Sequence, residues 1–253
     1  MPRFEGRVRQ RGSRRAHPVA CRTGRLFLPN MRTSVTHDAP VIREPGVVCR
    51  ASERGHRAPQ QPRAHSGRGP ASVATMIVWI NGTHGVGKTT TSALVQALIP
   101  DSRVFDAEMV GEMLMNITPG LPETENFQHW PPWRPLVVET ARRVLEYTGG
   151  ILVIPMTVLV ERYWREISSG LSEHAIPIRH FVLHADQKTL RRRIEGDLVM
   201  GPSEFRLEHM EPYAQAARDW LHHDAEVIDT SHRNAEAVAN RIAQAVTRSG
   251  RDV

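Results

Sequence analysis

The chain has 253 residues, with 33 Lys and Arg against 27 Asp and Glu, 40% hydrophobic residues and two cysteines. That length allows one or two domains. Its longest apolar run, Ile151–Val160, is about half of what spans a bilayer, which excludes a transmembrane protein. Cys21 and Cys49 cannot build a disulfide framework, and no Cys/His cluster has zinc spacing.

The charge is uneven. Residues 1–75 hold fifteen arginines, no lysine and four acids, a net +11, which leaves −5 for residues 76–253. The basic segment carries eight prolines and no sustained periodicity, so it is expected to be unfolded. Three readings compete for it: a nucleic-acid-binding arm, a targeting leader, or upstream sequence that does no work. The last is favoured, because no aromatic stacking platform accompanies the arginines and Met76 opens the first strand of a complete domain. The remainder has the mildly acidic balance of a cytoplasmic enzyme.

From Met76 the pattern is strand, loop, helix, repeated. Met76–Ile80 reads as a buried strand and Thr89–Leu98 as a helix closed by Pro100. Arg103–Phe105 is a brief second strand, Ala107–Met115 a helix, and the proline-broken Thr118–Pro132 a long loop of functional character. A helix over Trp133–Tyr147 stops at Gly149-Gly150, and Ile151–Ile154 is the clearest buried strand. A helix at Val160–Leu171, a strand at Ile178–Leu183 and a helix at Gln187–Ile194 follow. The last elements are a helix over Leu207–His222, with Pro212 as a kink or first-turn residue, a strand at Val227–Asp229 and a helix over Asn234–Val246. Five strands alternating with helices predict an α/β fold, a five-stranded parallel sheet flanked by helices.

The loop after the first strand, Gly82-Thr83-His84-Gly85-Val86-Gly87-Lys88-Thr89, fits G-x-x-x-x-G-K-[ST]. Its glycines let backbone N–H groups turn inward around phosphate oxygens, and the following helix aims its positive end at the same anion. Lys88 is expected to reach the β- and γ-phosphates and the Thr89 hydroxyl to bind magnesium. Thr90 completes the predicted nucleotide-binding set. His84 is read as a solvent-facing spacer. No N-K-x-D run for guanine exists, so ATP is the expected nucleotide.

Asp106 ends the second strand, at the edge where such sheets bind ligands. It is expected to accept a proton from an attacking hydroxyl or to hold magnesium through water, with a helix N-cap as the alternative. Glu108 is read as a first-turn charge. The third strand runs into Pro155-Met156-Thr157 with no carboxylate, which argues against a large mechanical ATPase and suits a small-molecule kinase. Thr157 could hydrogen-bond a ligand or cap the next helix. In Arg191-Arg192-Arg193, Arg193 is the arginine expected to neutralise charge during transfer. In Phe127-Gln128-His129-Trp130-Pro131-Pro132-Trp133-Arg134, aromatics beside an arginine could stack on a flat ring and hold a polar group. The alternative is a loop that plugs its own aromatics into the core, favoured for Trp130. A cation at Arg134, at a helix start, is disfavoured by the dipole, which strengthens the ligand reading.

These phrases together (Met76 to Gly82, Gly85 to Thr89, Phe127-Gln128, Trp133-Arg134 and Gly150 to Thr157) resemble the tunicamycin-resistance proteins, small P-loop proteins related to nucleoside and antibiotic kinases. The resemblance covers about residues 76–247. It implies a P-loop NTPase of the nucleoside- and shikimate-kinase-like type that binds ATP and Mg2+ through Gly82–Thr89. It also implies a pocket for a uracil-bearing nucleoside antibiotic near residues 106–134, Asp106 as base, and Asp229-Thr230-Ser231 as the adenine-side loop. The implied function is phosphotransfer to the antibiotic, with ATP-dependent sequestration as the alternative. The chain departs from such kinases after Arg193: Glu195-Gly196-Asp197 follows, and the next arginine is Arg206.

Overall fold

The computed structural model describes residues 75–249. The expectations for the basic segment lie outside the described residues. Five strands form one parallel sheet in the order β2-β3-β1-β4-β5: β1 Met76–Asn81, β2 Ser102–Val104, β3 Ile151–Pro155, β4 Ile178–His184 and β5 Glu226–Asp229. The five strands and the parallel sheet follow the sequence expectation. The central strand pairs Met76 with Ile151 and Ile77 with Ile178.

Being central, β1 is buried on both faces, and its period-2 alternation sorts its side chains into two cores. Ile77 and Trp79 pack with Leu152, Ile154 and Val182 beneath α2 (Glu108–Met115), α3 (Trp133–Thr148) and α4 (Glu161–Glu173). Val78 and Ile80 pack with Ile151, Val153, Phe181 and Leu183 beneath α1 (Lys88–Leu98), α5 (Gln187–Glu195) and the last helix, Ala235–Ser249. Among the described residues no helix is long and apolar enough to cross a membrane.

Two stretches differ from expectation. The helix expected over Leu207–His222 is instead α6 (Glu204–Glu208), α7 (Met210–Ala216), a wide turn at Ala217–Leu221 and α8 (His222–Asp224), so the last helix is α9. Pro212 sits in the first turn of α7, where its missing N–H has no carbonyl to satisfy. The long loop before α3 contains a 3-10 turn, Phe127–His129, because the Asn126 side chain accepts the Gln128 N–H at 2.9 Å.

Candidate nucleotide and acceptor site

The phosphate loop joins the carboxyl end of β1 to the start of α1. Gly82 has φ +137°, and a Cβ there would lie 2.6 Å from the Leu183 carbonyl, so only glycine fits. Gly85 has φ +75°, and its Cβ would lie 2.9 Å from Ile194 of α5. The loop's root is fixed by fully buried Asn81. Its side chain accepts from Gly82 N (2.8 Å) and Val158 N (3.0 Å) and donates to Val158 O (3.0 Å). Sequence reasoning passed over Asn81. The signal was a single amide ending an otherwise apolar strand.

Lys88 Nζ donates to the carbonyls of Gly82 and Thr83, both at 3.0 Å. Burial lowers its pKa to about 8; Arg206 pushes the same way and Glu108 opposes. Thr89 and Thr90 are exposed in the first turn of α1. His84 is not the solvent-facing spacer expected. Its ring lies 5.7 Å from Phe205 and 5.2 Å from His209, while Thr83 Oγ1 donates to the His209 carbonyl at 3.3 Å. The residues after α5 therefore sit directly on the loop. Burial, then the charges of Lys88, His209 and Arg206, hold His84 down to about 3, so it stays neutral. Lys88 and Arg206 bring positive charge to the loop at the start of α1, a field suited to an anion.

Two arginines after β4, Arg193 and Arg206, have different partners. Arg193 donates to Thr230 Oγ1 (3.0 Å) and Thr230 O (2.6 Å), tying α5 to the loop after β5. These two bonds hold Arg193 against the 229–231 loop. Arg206 is the arginine whose charge reaches Lys88 and His84. It is buried, paired to Asp197 at 2.9 Å and bonded to the Gly201 carbonyl at 3.3 Å. The Asp197 carboxylate also accepts the Val199 and Met200 N–H groups at 3.0 Å, so the segment between Arg193 and Arg206 contains an ordered turn.

Asp106 is exposed just after β2, and its Oδ1 accepts the Glu108 N–H at 3.0 Å, although the N-cap of α2 is Ala107 rather than Asp106. Glu108 is more than a first-turn charge. It is half-buried, and burial, then Asp106, raise its carboxyl pKa while Lys88 pulls it back. Glu108 is therefore the acid whose charge reaches the loop lysine.

The aromatic segment is corrected most. Trp133 is completely buried and its Nε1 donates to the Ala107 carbonyl at 3.2 Å, so it belongs to the core and cannot stack on a ligand. Phe127 packs on it with ring centroids 5.5 Å apart. Arg134 is 5% exposed. It donates to Glu166, to Gln128 O at 2.6 Å and to Trp130 O at 3.3 Å, and lies 4.3 Å over the Tyr163 ring. It clamps its own preceding turn, which explains a cation at a helix start. Trp130 packs against the core as expected. Gln128 is buried and donates through Nε2 to the Thr157 carbonyl at 2.8 Å, and the Thr157 hydroxyl donates to Gly82 O at 2.7 Å.

Among the described residues no cluster of three or more His, Cys, Asp or Glu forms a metal cage. Magnesium held by nucleotide phosphates needs none. It takes hard oxygen donors, and the Thr89 hydroxyl and the Asp106 carboxylate are of that kind.

No protein-family model and no curated protein matches the chain. Solved structures do. The sheet order and phosphate loop define a P-loop protein of kinase-like fold. It is similar in fold to APE1195 (18% identity, 71% of this chain and 98% of that one, TM-score 0.53). It is also similar to a gluconokinase from Sinorhizobium meliloti 1021 (14% identity, 72% and 96%, TM-score 0.50). Within that class the chain resembles the tunicamycin resistance protein of Deinococcus radiodurans, with 29% identity over 68% of this chain and 95% of that one and a TM-score of 0.57. The resemblance expected from the sequence motifs thus holds in the structure.

Proposed function

We propose that the chain is an ATP-dependent phosphotransferase acting on a hydroxyl of a small molecule, of the kind that confers resistance to a nucleoside antibiotic of tunicamycin type. One observation carries this: a glycine-rich loop at the carboxyl edge of a parallel sheet holds a buried lysine that feels the charge of Glu108, the residue whose N–H the Asp106 carboxylate accepts. The similarity to a tunicamycin resistance protein supports the substrate class.

In this reading the loop amides and Lys88 hold the triphosphate, and Thr89 with Asp106 holds magnesium, which neutralises phosphate charge when bound. The acceptor hydroxyl attacks the γ-phosphorus. A new phosphorus–oxygen bond forms, the bond to the bridging β,γ-oxygen breaks, the proton passes to an acid of the Asp106–Glu108 pair, and ADP leaves. Arg206 supplies the positive charge that Arg193 was expected to bring. Catalysis is positioning and electrostatics.

A second reading, sequestration without chemistry, draws on the bond that turns the Asp106 carboxylate to the Glu108 N–H and on the missing acid after β3. Incubating the full chain with Mg·ATP and tunicamycin and weighing the drug separates the two. A gain of one phosphate supports transfer. Unchanged drug that co-purifies with the chain supports sequestration. Unchanged, unbound drug refutes the substrate class.

A further inference from the structure

Thr157 and Gln128 were expected to touch the acceptor. Each has a different partner. A line of hydrogen bonds runs Arg134 to Gln128 O (2.6 Å), Gln128 Nε2 to Thr157 O (2.8 Å), Thr157 Oγ1 to Gly82 O (2.7 Å), and ends where Lys88 Nζ donates to that same carbonyl (3.0 Å). We infer that Thr157 is a positioning residue that aligns the acceptor-side turn at Phe127–His129 with the phosphate loop by holding the Gly82 carbonyl that it shares with Lys88.

The fold does not need this hydroxyl. Two hydrogen bonds between Asn81 and Val158 and the Met156 N–H donated to Ile80 O (3.1 Å) already fix the chain after β3 against β1. On its other side Gly82 is pressed on Leu183 O, where a Cβ would come within 2.6 Å. The Thr157 hydroxyl and Lys88 Nζ both donate to the Gly82 carbonyl, at 2.7 and 3.0 Å. Without the hydroxyl that carbonyl keeps Lys88 alone as a donor, and the ammonium is drawn to satisfy the loop rather than an incoming phosphate. An error of about 1 Å in such a group costs about a hundredfold in rate. Because Gln128 reaches the loop only through Thr157 in this line, the two residues act in series.

The inference rests on the phosphotransferase reading for its kinetic arm and on the loop alone for its structural arm. The test uses the full chain as Thr157→Val, which keeps shape and removes the hydroxyl, Thr157→Ser, which keeps the hydroxyl, Gln128→Leu, and the Val/Leu double variant. Phosphate transfer from Mg·ATP to tunicamycin and to water gives rates. Titration with a fluorescent ATP analogue gives nucleotide affinity. Hydrogen exchange of residues 82–90 reads the loop without any acceptor.

Thr157→Val is expected to unfold near the wild-type temperature, lose roughly ten- to a hundredfold in kcat with KM for ATP within about threefold, and exchange faster over 82–90. Thr157→Ser should restore both kcat and loop exchange, and the double variant should be no slower than Thr157→Val. The inference is overturned if Thr157→Val matches wild type in loop exchange, if Thr157→Ser fails as Thr157→Val does, or if the two losses multiply. A wild-type chain that transfers phosphate to neither acceptor refutes the functional reading. Serine-rescued exchange over 82–90 would in that case still support the positioning role.

Discussion

Replacing Arg134 with methionine separates a ligand-binding arginine from a structural clamp. Glu166 is 41% exposed and also meets Arg162 at 3.6 Å, so losing that pair costs at most about 1 kcal/mol. The short bond to the buried Gln128 carbonyl is charge-assisted and contributes about 1.5–3 kcal/mol. The guanidinium over Tyr163 adds about 1 kcal/mol. Methionine keeps most of the stem packing, so the loss should be about 3–4 kcal/mol. At about 2–4 °C per kcal/mol for a domain of this size, the melting temperature should fall by about 10 °C. Arg134→Lys should recover less than half, because an ammonium cannot span the fork between Gln128 O and Glu166. Thermal and urea unfolding, with a fluorescent nucleotide titration beside them, measure this. A variant that melts within about 2 °C of wild type yet loses acceptor binding would refute the clamp and restore the ligand role.

Lys88→Met should weaken Mg·ATP binding and transfer by at least about a hundredfold, and the His84 pKa should rise by NMR titration because Lys88 helps hold it down. Gly82→Ala places a Cβ 2.6 Å from Leu183 O at φ +137°, so urea unfolding should show a loss of at least about 2 kcal/mol together with lost nucleotide binding. Stability should fall with pH below about 6.5. His180, held to about 4 chiefly by burial against the pull of Asp224, and His84, held to about 3, are neutral in the fold. Both protonate first in the unfolded chain, so their stability is complete above 6.5 and is lost as pH drops toward 4 and then 3. Urea midpoints across that window test the sign, and His180→Phe should flatten the slope.

The sheet was readable because each strand is a short apolar run between a loop and an amphipathic stretch, a local property. The phosphate loop was readable because glycine and lysine spacing is itself the chemistry. What failed locally was the stretch after Met200, where α6 and a break at His209 answer to packing of Phe205 and His209 on His84, and where Trp220 of the wide turn at Ala217–Leu221 donates to the Leu159 carbonyl.

The polar assignments failed for a different reason. Helical spacing orders Arg191, Arg192 and Arg193 around one helix, but only Thr230, 37 residues away, decides that Arg193 is held there. Arg206 and Glu108 matter because tertiary neighbours bury them, and burial of a charge leaves no trace in its own sequence neighbourhood. Trp133 is the instructive exception. Trp133, Val137, Ala141 and Leu145 recur every four residues and are all buried, so the stripe that marks the core face of α3 already contained the tryptophan. An aromatic beside an arginine resembles a ligand platform only while the arginine's partners are unknown. Once Arg134 is seen to bond the carbonyls of its own turn, the same pair holds that turn in place, with Gln128 presented to Thr157.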